Sequence, residues 1–237
     1  MRVAVVGYGR MGREVEAVLR ERGHDVELVG RGDRFPDGCA VGVDFTRTES
    51  VVSNVEAALR AGARYVVGTT GWSDRLAEVQ RLVEAAGGGL VHSANFSLGV
   101  NLFYRVVRDA SALLSRFPEY DPWILERHHA AKKDAPSGTA KVLAGIVAAT
   151  QGQGTPPAVA SVRAGGIVGD HAVGFDSGGD EIVLEHRARS RRGFALGAVL
   201  AAEWIAPRTG FYSFDEVLAE KLRAGSRPGR RPARGRA

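Results

Sequence analysis

The chain has 237 residues, enough for one large domain or two modest ones with ample core. At 44% hydrophobic and 25% charged residues its composition is ordinary globular, which excludes a fibrous or low-complexity protein, and its single cysteine, Cys39, excludes an intrachain disulfide or a cysteine-based metal cluster. The net charge of +5 resides in the C-terminus, because residues 223–237 hold six of the 32 basic residues and none of the 27 acidic ones, so the body is close to neutral. That tail has no apolar anchor and no aromatic residue to stack on bases. It is expected to be a disordered, solvated Arg-rich tail, and nucleic acid is not an expected partner. No apolar run approaches the roughly 18 residues of a bilayer span, so no membrane partner is expected. A lone cysteine suits a reducing cytoplasm, the expected location.

In chain order, residues 1–6 form a short apolar, β-branched run, and Gly7, Tyr8, Gly9, Arg10, Met11 and Gly12 follow directly. Met11, Val15, Val18 and Leu19 then recur at helical spacing. Strand, glycine turn and helix in that order are the context in which G-x-G-x-x-G signifies dinucleotide binding. Gly7 permits the tight turn, Gly9 lets a pyrophosphate approach the backbone, and Gly12 lets helix and strand pack closely. Strands are expected over 26–30, 40–46, 65–68 and 90–93, and helices over 50–61 and 73–86, the second capped by Ser73. This alternation predicts a Rossmann-like parallel sheet with ligand at the C-terminal ends of its strands.

After residue 99 the pattern changes. Leu102, Phe103, Val106, Val107, Leu113 and Leu114 line one face of a helix over 101–117. A strand at 123–127, a helix at 137–149 and a loop at 151–157 follow. Strands at 159–163, 171–176 and 181–186 come next, the last two joined by a turn at 177–179. Helices over 193–205 and 214–222 close the body. Strands in succession predict an α+β domain with a mixed, open sheet. The expected division is a dinucleotide-binding domain of 1–98 and 193–222, a substrate-binding and oligomerising domain of 99–192, and the tail.

The richest stretch chemically is 126–140, with no apolar residue between Leu125 and Ala130. His128 and His129 can exchange protons near neutral pH. Lys132 can pair with a carboxylate or donate a proton. The backbone N–H groups of Ser137, Gly138 and Thr139 can hold an anion at a helix N-terminus. The plainer alternative is a polar loop before a capped helix. No metal site is expected. At the end of the second strand Gly30 stands where an acid would hold the ribose of NADH, and Arg31 and Arg34 are available for a 2′-phosphate. NADPH is therefore expected over NADH, with Asp33 arguing the other way. Lys133 is read as a solvated lysine and His171 as a structural histidine of the sheet. These residues alone specify a dinucleotide-dependent enzyme for a small anion. A non-catalytic NADPH-binding sensor and another NAD(P)-dependent dehydrogenase of a small carboxylate stay open.

The segment 126–140, Glu-Arg-His-His-Ala-Ala-Lys-Lys-Asp-Ala-Pro-Ser-Gly-Thr-Ala, resembles the signature of the dihydrodipicolinate reductase (4-hydroxy-tetrahydrodipicolinate reductase) family. Segments 9–12, 68–71, 94–101, 163–171 and 190–197 resemble further parts of that family in the same order. The glycine loop is one residue shorter than in many members, and 31–40 is compressed. The resemblance implies NAD(P)H-dependent hydride transfer to a cyclic dicarboxylate, giving tetrahydrodipicolinate in diaminopimelate and lysine biosynthesis. It implies His128 as proton donor or acceptor and Lys132 as second proton donor. His129, Lys132, Gly138 and Thr139 would hold the substrate carboxylates. Cofactor contacts would come from Gly7–Gly12, from Gly68, Thr69 and Thr70, from Ser93, Ala94, Asn95 and Phe96, and from Arg191. A homotetramer built through the second domain's sheet is implied as well. Neighbouring strand residues face opposite ways, so both histidines share a pocket only if their strand ends near Arg127, and that end is expected.

Overall fold

The computed structural model describes residues 1–151 and 156–225. Most of the Arg-rich tail, and all but the ends of the loop expected at 151–157, lie outside the described residues. The chain divides into two compact units, one of Met1–Phe96 with the segment from Gly197 onward, the other of Ser97–Leu196.

The first unit holds a six-stranded, all-parallel sheet. Its strands are β1 (Arg2–Val6), β2 (Asp25–Val29), β3 (Val41–Asp44), β4 (Arg64–Val67), β5 (Gly89–His92) and β10 (Gly210–Ser213), in the order β10-β5-β4-β3-β1-β2. The apolar residues of β1, β3 and β4, mostly valines, are buried, as in strands covered on both faces. Helices α1 (Arg10–Glu21), α2 (Val51–Arg60) and α3 (Leu76–Ala85) alternate with the strands, and α6 (Arg192–Ile205) and α7 (Phe214–Gly225) come late in the chain. Val51, Val55, Ala58, Val79 and Val83 from α2 and α3 pack on Ala4, Tyr65, Val67 and Leu90 of the sheet.

Two details differ from the expectations. Ser73 does not cap a helix; it opens a single 3₁₀ turn, Ser73–Arg75, and α3 begins only at Leu76. The Trp72 indole donates to the Thr69 carbonyl at 2.8 Å, and the Arg75 N–H to the Trp72 carbonyl, which ties the chain into that tighter turn. Strand β10 was not anticipated. Four residues between two helical patterns carry no periodicity, yet Gly210–Ser213 pairs in parallel with β5 and adds the sixth strand.

The second unit is a four-stranded mixed sheet in the order β7-β6-β8-β9. Strand β6 (Asp121–His128) runs parallel to β7 (Ala158–Arg163) and antiparallel to β8 (Asp170–Asp176), which pairs with β9 (Glu181–Arg187). Helices α4 (Leu98–Leu114) and α5 (Gly138–Gln151) cover one face, where Phe103, Val107, Leu143 and Val147 meet Ile124, Val173 and Phe175. α4 starts a turn earlier than its apolar pattern suggests because the Ser97 hydroxyl accepts the Val100 N–H. The opposite face carries the alternate residues. Trp123 lies across Gly174, where a Cβ would come within 2.1 Å of the indole, and Arg127 joins Asp170 at 3.1 Å and Glu185 at 2.9 Å.

Candidate active site

Register builds the site. Glu126 on β6 stands opposite Ser161 on β7 and His171 on β8, and His171 stands opposite His186 on β9. A polar row therefore crosses all four strands on the helix-covered face. One step along β6, His128 stands opposite Arg163. The alternation of β6 continues through His128, one residue past the expected end, so His128 shares a face with Ile124 and Glu126 and is buried with them. His129 opens the loop, is half-buried, and has no side-chain hydrogen-bond partner among the described residues.

Glu126 has no exposed surface, yet it is ionised. Burial opposes its charge, but hydrogen bonds from Arg163, Ser161 and His128 outweigh that and hold its carboxyl at about 2. The Arg163 guanidinium donates to Oε1 at 2.6 Å, the Ser137 N–H to the same oxygen at 3.3 Å, and Oε2 meets Nδ1 of His128 in a very short contact. An ionised carboxylate only accepts, so Nδ1 of His128 carries a proton and Nε2 is the outward-working nitrogen. Burial first, then the charges of Lys132 and Arg163, lower the His128 pKa, with Glu126 acting against them. His171 sits edge-on to His128 at 5.1 Å and is pushed down to about 4 by burial and by that neighbour. The nitrogen and oxygen atoms of Glu126, His128 and His171 lie within 4.8 Å of one another. Both Glu126 oxygens are taken, Oε1 by Arg163 and Oε2 by His128.

The loop after β6 supplies the rest. Lys132 is held by Asp134 at 2.7 Å and is a quarter exposed, whereas Lys133 is exposed. Ser137 departs from the expectation that its N–H meets an anion. That N–H donates to Glu126, and its buried hydroxyl accepts the Ala140 N–H and lies 3.2 Å from Nε2 of His171. A buried carboxylate needs donors, and Ser137 is one of them. Gly138 has nothing within 4 Å of where a Cβ would stand, and Thr139 is half-buried, so the start of α5 stays open at these two residues.

The first unit carries a separate cleft of about 1020 Å³ at the C-terminal edge of its sheet, lined by Gly7, Tyr8, Gly9, Arg31, Thr46 and Arg47 among others. Gly7 adopts φ +86°, and a Cβ on Gly12 would meet the Gly7 carbonyl at 2.2 Å, so turn and helix touch backbone to backbone. Gly9 is the N-cap of α1 and offers no side-chain cap, the first turn holds no acid, and space is open beside Gly9. These are the properties of a pyrophosphate seat, so the residues fit a dinucleotide. Arg10 is exposed and Met11 half-buried on α1, and the Tyr8 hydroxyl folds back onto Glu16 at 2.5 Å.

Beneath the cleft lies a residue that sequence reading passed over. Asp44, fully buried at the end of β3, accepts from the Thr46 N–H (2.7 Å), the Thr46 hydroxyl (2.6 Å), Asn54 (2.9 Å), Tyr65 (3.1 Å) and Thr69 (3.1 Å). It ties the loops after β3 and β4 together. Thr69 and Thr70 line a smaller neighbouring hollow with Thr46 and Arg47, and Gly68 donates its N–H to the Asp44 carbonyl. Of the loop after β5, Ser93 and Asn95 bond each other and Ala94 is exposed. Phe96 departs from its expected cofactor role in its side chain, which is 1% exposed and packed between Phe45 and Phe214. Arg191 is exposed at the start of α6 and belongs to the second unit.

A glycine-turn cleft on a parallel sheet, in a chain whose other unit holds a carboxylate–histidine proton device, defines an NAD(P)H-dependent oxidoreductase. Comparison with known proteins makes this specific. Residues 25–96 match the model of the dihydrodipicolinate reductase N-terminus and residues 99–218 that of its C-terminus. A 4-hydroxy-tetrahydrodipicolinate reductase from Archaeoglobus fulgidus is 40% identical over 92% of this chain and 100% of its own length. One from Natronomonas pharaonis is 37% identical, again over 92% and 100%. Among solved structures, a dipicolinate-bound dihydrodipicolinate reductase from Paenisporosarcina sp. TG-14 shares the fold at 24% identity, with a TM-score of 0.73 over 91% of this chain and 98% of that one. The chain belongs to the dihydrodipicolinate reductase family. The regions matched by the two family models include Glu126, His128, Lys132 and Arg163 and begin at residue 25, after the glycine turn.

Proposed function

We propose that this enzyme reduces the cyclic unsaturated dicarboxylate of the 4-hydroxy-tetrahydrodipicolinate reductase reaction to tetrahydrodipicolinate, in diaminopimelate and lysine biosynthesis. The observation that carries the reading is His128, held by an ionised buried carboxylate, on a strand that leads directly to Lys132 and the open start of α5. When bound, the reduced nicotinamide supplies the hydride. The chain's own residues do the rest. The Gly138 and Thr139 N–H groups with His129 and Lys132 hold the substrate carboxylates, where a helix start and a lysine both favour negative charge. His128 delivers the proton that must accompany the hydride, and Lys132, oriented by Asp134, is the second donor.

NADPH is proposed as the preferred cofactor, with NADH also used. Asp33, the one acid near the end of β2, is spent on the Gly30 N–H at 2.7 Å and fills the space where a Gly30 side chain would be. Arg31 and Arg47 line the same cleft without a side-chain partner among the described residues. Both favour a 2′-phosphate over a bare ribose. No helix among the described residues is long and apolar enough to cross a membrane, which agrees with a cytoplasmic enzyme. A homotetramer through the uncovered face of the second sheet is supported by the partly exposed Val162 and Val183, near Trp123 and Leu125.

The test is oxidation of NADPH and NADH with substrate generated in situ by its synthase, comparing wild type with His128→Gln and Lys132→Ala. Turnover by wild type and a 10²–10⁴-fold loss, roughly, in each variant is expected. Tight cofactor binding without turnover would overturn the reading and leave a sensor.

A further inference from the structure

Glu126 lies outside the expected catalytic set, and no packing argument explains it. A carboxylate with no exposed surface is costly, and apolar residues serve a sheet-helix interface better. The sheet instead surrounds it with donors from three directions: Arg163 from β7, the Ser137 N–H from the start of α5, and His128 from its own strand. Arg163 is itself anchored by the Asp134 carbonyl at 2.6 Å, so Glu126 has a rigid counter-charge.

We propose that Glu126, backed by Arg163, is the positioning residue that fixes the tautomer of His128 and makes its imidazolium accessible, a role that rests on the proposed reductase reaction. In that reaction hydride adds to the conjugated substrate, the Nε2–H bond of His128 breaks, and its proton joins the substrate. His128 is left neutral, its remaining proton on Nδ1 and hydrogen-bonded to the Glu126 carboxylate, and solvent restores the Nε2 proton before the next turnover. The difficulty this solves is visible in the groups facing His128. Arg163 from β7 and Lys132 from the loop oppose its protonation, His171 from β8 adds a neutral wall, and Asp134 is occupied by Lys132. Among the charged groups facing it, Glu126 alone favours the charged ring. Gly169 borders the working edge, since a Cβ there would lie 3.1 Å from Nε2, and its lack of a side chain leaves that edge accessible.

The experiment compares wild type, Glu126→Gln, Glu126→Asp and the double variant Glu126→Gln/His128→Gln. Its readouts are kcat and KM from about pH 5 to 9 with NADPH, and histidine ring nitrogen chemical shifts by NMR without substrate. In Glu126→Gln the His128 titration is expected to move down by roughly one pH unit or more, carrying the corresponding limb of kcat with it. kcat should fall by about 10²-fold or more while KM changes less than about threefold. Glu126→Asp should retain the limb near its wild-type pH, and the double variant should be no slower than His128→Gln alone. An unmoved His128 titration in a folded Glu126→Gln protein, or additive losses in the double variant, would overturn the proposal. If Glu126→Gln fails to fold, the wild-type spectrum decides the matter: a neutral His128 protonated on Nδ1 supports the hold, and a neutral ring protonated on Nε2 overturns it. The NMR arm needs no substrate, so it stands or falls separately from the reaction assigned above.

Discussion

Asp44 and Glu126 are both carboxylates without exposed surface, each at the C-terminal part of a strand, and they are wired for opposite ends. Asp44 is met only by neutral donors, an amide, three hydroxyls and a backbone N–H, none of which changes charge in the working range. Glu126 is met by a fixed cation and a titratable ring. Neutral donors freeze a carboxylate and the loops around it. A cation with an imidazole makes it part of a proton inventory. Burial alone therefore says little about a buried acid; the partners say what it is for.

The largest expected effect tests the frozen half of that contrast. Asp44→Ala leaves its donors without an acceptor and should lower unfolding free energy by roughly 3–5 kcal/mol in urea titrations. A loss below about 1 kcal/mol would erase the distinction. Acid should act on the other region. His171 has a folded value of about 4 against an ordinary 6.5, so the native state binds fewer protons than the unfolded chain between those values. Its contribution is complete above pH 6.5 and is lost as pH falls towards 4, up to roughly 3 kcal/mol. Glu126, held at about 2 against 4.5, contributes above pH 4.5 and fails only as pH falls through that lower range. Denaturation at pH 7, 5.5 and 4 should show the first loss, and His171→Gln should flatten it.

Two smaller effects concern the cofactor edge that Asp44 organises. Arg31→Ala should weaken NADPH binding about tenfold and leave NADH unchanged, by fluorescence titration. Equal effects on both nucleotides would remove the 2′-phosphate argument. Arg34→Ala should change stability by less than about 0.5 kcal/mol and leave cofactor choice alone. Its ion pair with Asp37 is largely exposed on both sides, 85% and 73%.

The parallel sheet was legible because β1, β3 and β4 are short valine-rich runs separated by glycine turns and amphipathic helices. The histidine strand was legible from its residue types. What escaped notice depended on neighbours remote in sequence. Glu126 draws meaning from Arg163, 37 residues away, and Asp44 from Tyr65 on β4 and Thr69 in the loop that follows it. Ser137 looked like an anion donor because the carboxylate it serves lies 11 residues earlier. β10 and the early start of α4 at Ser97 were set by pairing and by a single cap, neither of which has a period.

The alternation of β6 also guards the enzyme against misassembly. Sliding this strand by one residue against its neighbours would turn Arg127 and Trp123 under α5 and expel Ile124, Glu126 and His128 to the open side. Arg163 would face another cation where its carboxylate had been, and Gly174 would lose the indole that covers it. A slipped sheet would thus be both inactive and unstable. The pairing that assembles the proton device proofreads the fold, and any molecule that survives folding carries its histidine in place.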